Sequence, residues 1–143
     1  FASCGQSLQE GTSCDAALRE LHEEINLPLN RGHVIGTLDD YITRSGYVST
    51  PVVVWADVIE DELHPNPAEV ASIHAFTFTE LNREDSPNLE KIPQSDREVL
   101  SMNYLTDVIY APTAAMLYQF REVAIRGCPT RVLDYDQPLF AWK

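Results

Sequence analysis

The chain has 143 residues and carries 22 acidic against 10 basic side chains, for a net charge of −12. Such a surface repels nucleic acid and anionic membranes at long range, and no apolar run reaches the length of a membrane span. The length suits one domain with one core, and 44% hydrophobic with 22% charged residues is ordinary for a soluble globular protein.

No start resembles a signal peptide. Cys4, Cys14 and Cys128 are an odd set without CxxC spacing, which reads as reduced thiols in a cytoplasmic protein rather than disulfides or a zinc site. His22, His33, His64 and His74 show no HxxxH or HExxH pattern.

In chain order, "TSCD" (residues 12–15) reads as a capping box and predicts a helix to about Asn26, with Ala17, Leu18, Leu21 and Ile25 as its apolar stripe. Pro28 and "NRG" end it. "HVIGTLDDYIT" predicts a strand with a bulge at Gly36, and "SG" at 45–46 predicts a turn. "PVVVWADVIE" is nearly all apolar through Val58, the pattern of a strand buried on both faces. "HPNPAE" predicts a loop, and the β-branched and aromatic content of "VASIHAFTF" predicts a strand. Residues 79–112, dotted with Pro87, Pro93 and Pro112, predict loops with a short helical turn around "SDREVL".

"PTAAMLYQFREVAIRGCP" predicts a helix capped by Thr113. Met116, Leu117, Phe120, Val123 and Ala124 form its core stripe, Gly127 fits C′, and Pro129 prevents continuation. "TRVLDYDQPLFAWK" predicts a closing strand broken by Pro138. This order predicts an α/β fold, a mixed sheet with helices packed on it. The sheet looks short of strands before the first helix.

"LRELHEEINL" (residues 18–27) carries the chemistry. Glu20, Glu23 and Glu24 stand at i, i+3 and i+4, so their carboxylates share one helix face. Like charges so placed repel by roughly a few tenths of a kcal/mol. A solvated face, with Arg19 and Glu23 as an i,i+4 ion pair, is one reading. A Mg²⁺ or Mn²⁺ site is the other, because hard divalent cations take oxygen ligands. Such ions promote pyrophosphate hydrolysis by neutralising charge, orienting the diphosphate and acidifying an attacking water.

"RELHEEINL" resembles the second half of the Nudix box, G-x5-E-x7-R-E-U-x-E-E-x-G-U, where U is a bulky aliphatic. Gly5 falls on the opening glycine, and Arg19, Glu20, Leu21, Glu23, Glu24 and Leu27 fall on their motif positions. Gly11, with Glu10 beside it, stands where the first glutamate is expected. Asn26 stands where the late glycine is expected, and Asn tolerates left-handed backbone. "GTLDDYITRSGYVSTPVVVW", "HPNPAEVASIHAFTFTEL" and "APTAAMLYQF" look like the succeeding segments of Nudix enzymes of the coenzyme A pyrophosphatase type.

The resemblance implies an α/β/α sandwich around a mixed sheet, a single domain over residues 1–143 that lacks strands on its N-terminal side. It implies metal binding by Glu20, Glu23 and Glu24, with the Cys4 carbonyl near the metal. Arg19 would orient the catalytic carboxylate, and Glu20 and Glu69 would be catalytic, with Asp61 and Glu62 as weaker alternatives to Glu69. Arg44, Gly46 and Tyr47 are the substrate-binding candidates, Arg44 because guanidinium suits phosphate oxygens. Among the neighbouring polar residues, Asp39 and Asp40 read as solvent-facing.

The implied activity is metal-dependent hydrolysis of a nucleoside diphosphate linked to another moiety, with coenzyme A or an acyl derivative foremost, at a rate lowered by Gly11. The alternative is a Nudix-fold module that binds nucleotides or a protein with little or no turnover. A small-molecule diphosphate is the expected partner, without nucleic acid or membrane, and an incomplete sheet leaves room for a homodimer.

Overall fold

The computed structural model describes residues 2–5, 13–70 and 73–142. In chain order its main elements are β1 (Ala2–Gly5), α1 (Ser13–Ile25), β2 (Val34–Thr37), β3 (Tyr41–Ile42), β4 (Val48–Val54), α2 (Phe78–Leu81), β5 (Asn88–Glu90), β6 (Val99–Tyr104), β7 (Asp107–Tyr110) and α3 (Thr113–Phe120). They group into two compact units, Phe1–Leu38 with Ser49–Ala75, and Asp39–Val48 with Phe76–Lys143. The architecture is α/β, as expected, and the named strand pairs described below are antiparallel.

In the first unit β4 is central, with β1 on one side and β2 on the other. The apolar stripe of α1 does what its spacing predicts: Ala17 is fully buried against Val52, and Cys14, Ala16, Val34 and Val54 pack around them. Thr12, the expected cap, lies outside the described residues. The C-terminal stop is explicit. Asn26 takes φ +55, its N–H bonds to His22 O at 3.0 Å, and Leu27 N–H reaches back to Leu21 O at 3.3 Å. A left-handed residue here satisfies carbonyls that the helix end would otherwise leave open.

The register of β2 against β4 shifts between Val34 and Gly36, which places the bulge where Gly36 predicts it. The buried strand expected to run through Val58 ends at Val54. Trp55 and Ile59 are each 65% exposed. The reason is local: Asp57 has φ +46, which takes the chain out of extended geometry. The strand expected in "VASIHAFTF" is also corrected. Residues 73–77 are irregular, and Thr77 Oγ1 accepts from Glu80 N at 3.1 Å, capping α2 from Phe78.

In the second unit β5, β6 and β7 form a three-stranded sheet in that order. This replaces the loops and helical turn expected across residues 79–112. α3 lays Ala114 and Ala115 on Leu100 and Met102, with Tyr41, Ala111 and Val132 completing the core. Thr113 opens α3 but does not cap it. Pro112 holds that position without a side-chain hydrogen bond.

Past Phe120 the helix widens into a π-helical stretch, Arg121–Ile125. The wider turn rotates the helix face. Arg121 points inward, 2% exposed, and its Nη1 donates to Ser86 O at 2.8 Å. Val123 and Ala124, expected in the core stripe, face solvent instead. Gly127 has φ +66, the left-handed geometry expected at C′. The expected closing strand shrinks to one parallel bridge, Val99 with Asp136, followed by a 3-10 turn at Leu139–Ala141 after Pro138.

Replacing Asn26 by Ala should lower stability by about 1 kcal/mol, the cost of a Cβ in left-handed backbone without a local polar partner, whereas Asn26→Gly should be neutral or better. Urea denaturation of the two variants measures the difference.

Candidate active site

The face that carries Glu20, Glu23 and Glu24 lies on α1. Glu20 is half-buried, and Glu23 and Glu24 are exposed. Burial pushes the Glu20 carboxyl above the ordinary glutamate value, and the charges of Glu24 and Glu23 push the same way, with Arg19 opposing. Arg19 Nε stands 3.9 Å from Glu23 Oε1, both side chains in solvent. A pair so exposed contributes little stability.

The "HPNPAE" loop is fastened to the end of the same helix. Asn66 N–H donates to Glu24 O at 2.6 Å and His64 N–H to Ile25 O at 3.2 Å. Asn66 O in turn accepts from Glu69 N at 3.0 Å and Val70 N at 2.8 Å, and Asn66 Oδ1 accepts from Ala68 N at 3.1 Å. The terminal carbonyls of α1 thus anchor the turn that bears Glu69, whose side chain is exposed. Asp61 and Glu62 sit on a 3-10 turn, Glu60–Glu62, where Glu62 Oε2 accepts from Ile59 N at 3.1 Å. Cys4 is in β1, opposite Thr50 of β4. Glu10 and Gly11 lie outside the described residues.

The donor chemistry of α1 suits a hard divalent cation, since three carboxylates share a face and, after burial, the charges of Glu24 and Glu23 raise the cost of ionising Glu20. As placed, however, no three acidic, histidine or cysteine side chains among the described residues converge on an ion position. The exposed Glu23 and Glu24 side chains have solvent in which to rotate.

Arg44, Gly46 and Tyr47 belong to the hairpin turn between β3 and β4. Thr43 N–H donates to Tyr47 O at 2.8 Å, Gly46 N–H to Thr43 O at 2.9 Å, and Gly46 takes φ +86, which the tight turn requires. Tyr47 is 55% exposed. The Arg44 guanidinium is engaged with Asp136. Nε donates to Asp136 Oδ1 at 3.0 Å, Nη2 bonds Asp136 Oδ2 and also Ser95 Oγ at 2.9 Å, and the group lies 4.0 Å over the Trp142 ring.

Asp136 is 2% exposed. Burial alone would raise its pKa, but hydrogen bonds from Arg44, Ser95 and Gln137 N–H outweigh that and hold it down to about 2. Asp39, read as solvent-facing, accepts from Arg131 Nε at 2.8 Å and from Val132 N–H at 3.3 Å. No sequence signal marked Asp136: it lies 92 positions from Arg44, in a segment that reads as a strand.

Residues 1–101 match the NUDIX domain family. The chain is 32% identical over 108 residues to an "Uncharacterized Nudix hydrolase NudL" of Pectobacterium atrosepticum, a match covering 73% of this chain and 55% of that protein. It is 30% identical over 110 residues to the like-named protein of Photorhabdus laumondii, covering 74% and 57%. The chain belongs to the Nudix family, and its α/β architecture is consistent with a Nudix-like fold. It spans about half the length of the curated relatives it matches. No solved structure matches. Among the described residues no helix is long and apolar enough to cross a membrane.

Removing the guanidinium leaves the buried Asp136 charge without its main partner, so Arg44→Met should lower the urea midpoint clearly below that of the unaltered chain. The sign with pH follows from Asp136. Its folded-state pKa is depressed, so its stabilisation is present above the ordinary aspartate value of 3.8 and is lost as pH falls towards about 2. In Arg44→Met burial is no longer opposed by the guanidinium, and the acid loss should begin at higher pH.

Proposed function

We propose that the protein is a metal-dependent hydrolase of a nucleoside diphosphate linked to another moiety, with coenzyme A or a related diphosphate as the substrate class. The observation that carries this reading is "RELHEEINL" within the matched family region, with its three glutamates on one face of α1. Mg²⁺ or Mn²⁺ held by Glu20, Glu23 and Glu24 would neutralise charge developing on the diphosphate and acidify the attacking water.

The chain's own groups have these roles in the proposal. Arg19 orients the catalytic carboxylate. Glu20 is the catalytic carboxylate among the metal-holding groups, and Glu69, on the turn anchored to Glu24 O, accepts the attacking water's proton. Arg44, Gly46 and Tyr47 form the substrate-binding turn, and a phosphate there competes with Asp136 for the Arg44 guanidinium. The free thiols of Cys14 and Cys128 agree with a reducing, cytoplasmic setting. A homodimer is the assembly to test by light scattering.

A second reading is a Nudix-fold binding module without turnover. It is favoured by the absence, among the described residues, of three metal-ligating side chains converging on one point.

A metal screen separates the two. A ligand that binds only the folded state at 100 times its Kd stabilises by about 2.7 kcal/mol. Mn²⁺ should therefore raise the melting temperature, and Glu23→Gln should abolish both that shift and hydrolysis across a panel of coenzyme A derivatives and dinucleotides. Metal stabilisation without hydrolysis selects the binding module, and no metal response removes both readings. Gly11→Glu should raise kcat/KM about 10-fold if it restores the support of a metal ligand.

A further inference from the structure

The second unit contains an open cleft of about 460 Å³, whose lining includes Lys91, Arg97 and Arg131 alongside Asp96, Glu98 and Asp134. Three of the chain's 10 bases therefore meet in one place, in a protein with 22 acids. Their commitments differ. Arg131 is bound to Asp39 through both Nε at 2.8 Å and Nη2 at 2.7 Å. Arg97 Nε stands 3.9 Å from Asp136 Oδ2, outside hydrogen-bond range. Asp136 is already satisfied by Arg44, by Ser95 Oγ at 2.7 Å and by Gln137 N at 2.8 Å. Among the described residues the Lys91 side chain makes no hydrogen bond or ion pair.

Arg31, Arg44, Arg83 and Arg131 each hydrogen-bond a carboxylate. Among the described residues Lys91 and Arg97 do not, Arg97 reaching only an ion-pair distance from Asp136, although Asp96, Glu98 and Asp134 line the same cleft. Among the described residues Lys91 and the lining carboxylates Asp96, Glu98 and Asp134 thus stand in one cleft without a hydrogen bond between them, while Arg97 keeps only a 3.9 Å ion pair with Asp136. That pattern suits a ligand with two kinds of group: a compact anion for the bases and hydroxyl donors for the acids. Ammonium and guanidinium groups take phosphate oxygens, and ionised carboxylates only accept hydrogen bonds.

We propose that this cleft binds a phosphate ester of a polyhydroxy compound, with Lys91 and Arg97 on the phosphate and Asp96, Glu98 and Asp134 accepting from the hydroxyls. Arg131 and Asp134 lie beyond residue 101, where the family match ends. The site uses none of the α1 glutamates, so it stands or falls separately from the hydrolase reading.

Calorimetric titration of the intact chain with ribose 5-phosphate, inorganic phosphate and ribose tests it. Ribose 5-phosphate should bind saturably, at least 10-fold tighter than inorganic phosphate, with ribose giving no heat. Lys91→Met with Arg97→Gln should weaken ribose 5-phosphate at least 10-fold. Asp134→Asn should reduce only its advantage over inorganic phosphate. If the double variant does not fold, Lys91→Met alone, at an exposed side chain without a hydrogen-bond partner among the described residues, carries the same expectation. Saturable binding that survives these changes, equal affinity for phosphate and its ester, or no saturable binding of the ester would overturn the proposal.

Discussion

One carboxylate taken out of water governs how the second unit is assembled. Asp136 is 2% exposed, yet it stays ionised because Arg44, Ser95 and the Gln137 N–H satisfy its oxygens. Its backbone is committed as well, with Asp136 N–H donating to Glu98 O at 2.8 Å and Leu100 N–H to Asp136 O at 3.3 Å. A buried charge with imperfect partners costs several kcal/mol, so the partners become as fixed as the charge. Four stretches are joined in this way: the β3–β4 turn, the loop before β6, β6 itself and the C-terminal segment. Trp142 closes the set, its ring under Arg44 and its Nε1 donating to Gln137 O at 2.7 Å.

The first unit is organised differently. Small residues let α1 approach the sheet, with Ala17 fully buried against Val52. The opposite side of α1 is left to its glutamates, and the raised pKa of Glu20 reflects first its partial burial and then the nearby charges of Glu24 and Glu23. The carbonyls of Glu24 and Ile25 hold the loop that carries Glu69. Helix, glutamates and loop therefore form one construction, and the candidate chemistry sits where an electrostatic cost is already present.

What the sequence made legible were features with a local physical cause. The spacing of Ala17 and Leu18, the left-handed tolerance of Asn26, the bulge at Gly36 and the turn at Gly46 each act within a few residues, and each is found. The errors have causes that local pattern does not carry. β5 is three residues long and wholly exposed, and becomes a strand only because Leu89 pairs with Leu100. Asp57 ended a run of apolar residues by adopting a conformation that no spacing rule assigns to it. The π-helical stretch at Arg121 changed the helix period, so a stripe counted at 3.6 residues per turn put Val123 on the wrong side. At the candidate site, the helix that puts the three glutamates on one face was legible from one decapeptide. The engagement of Arg44 was not, because its partner is 92 positions away.

That separation has a consequence for biosynthesis. The turn bearing Arg44 leaves the ribosome long before Asp136 and Trp142, and β4 intervenes between them. Contacts so distant along the chain are slow to form, because closing the loop costs entropy before any contact repays it. During translation the first unit can condense around α1 and β4 while the second waits, its apolar strand β6 unshielded. The contacts around Asp136 therefore close only after residues 132–142 have been synthesised.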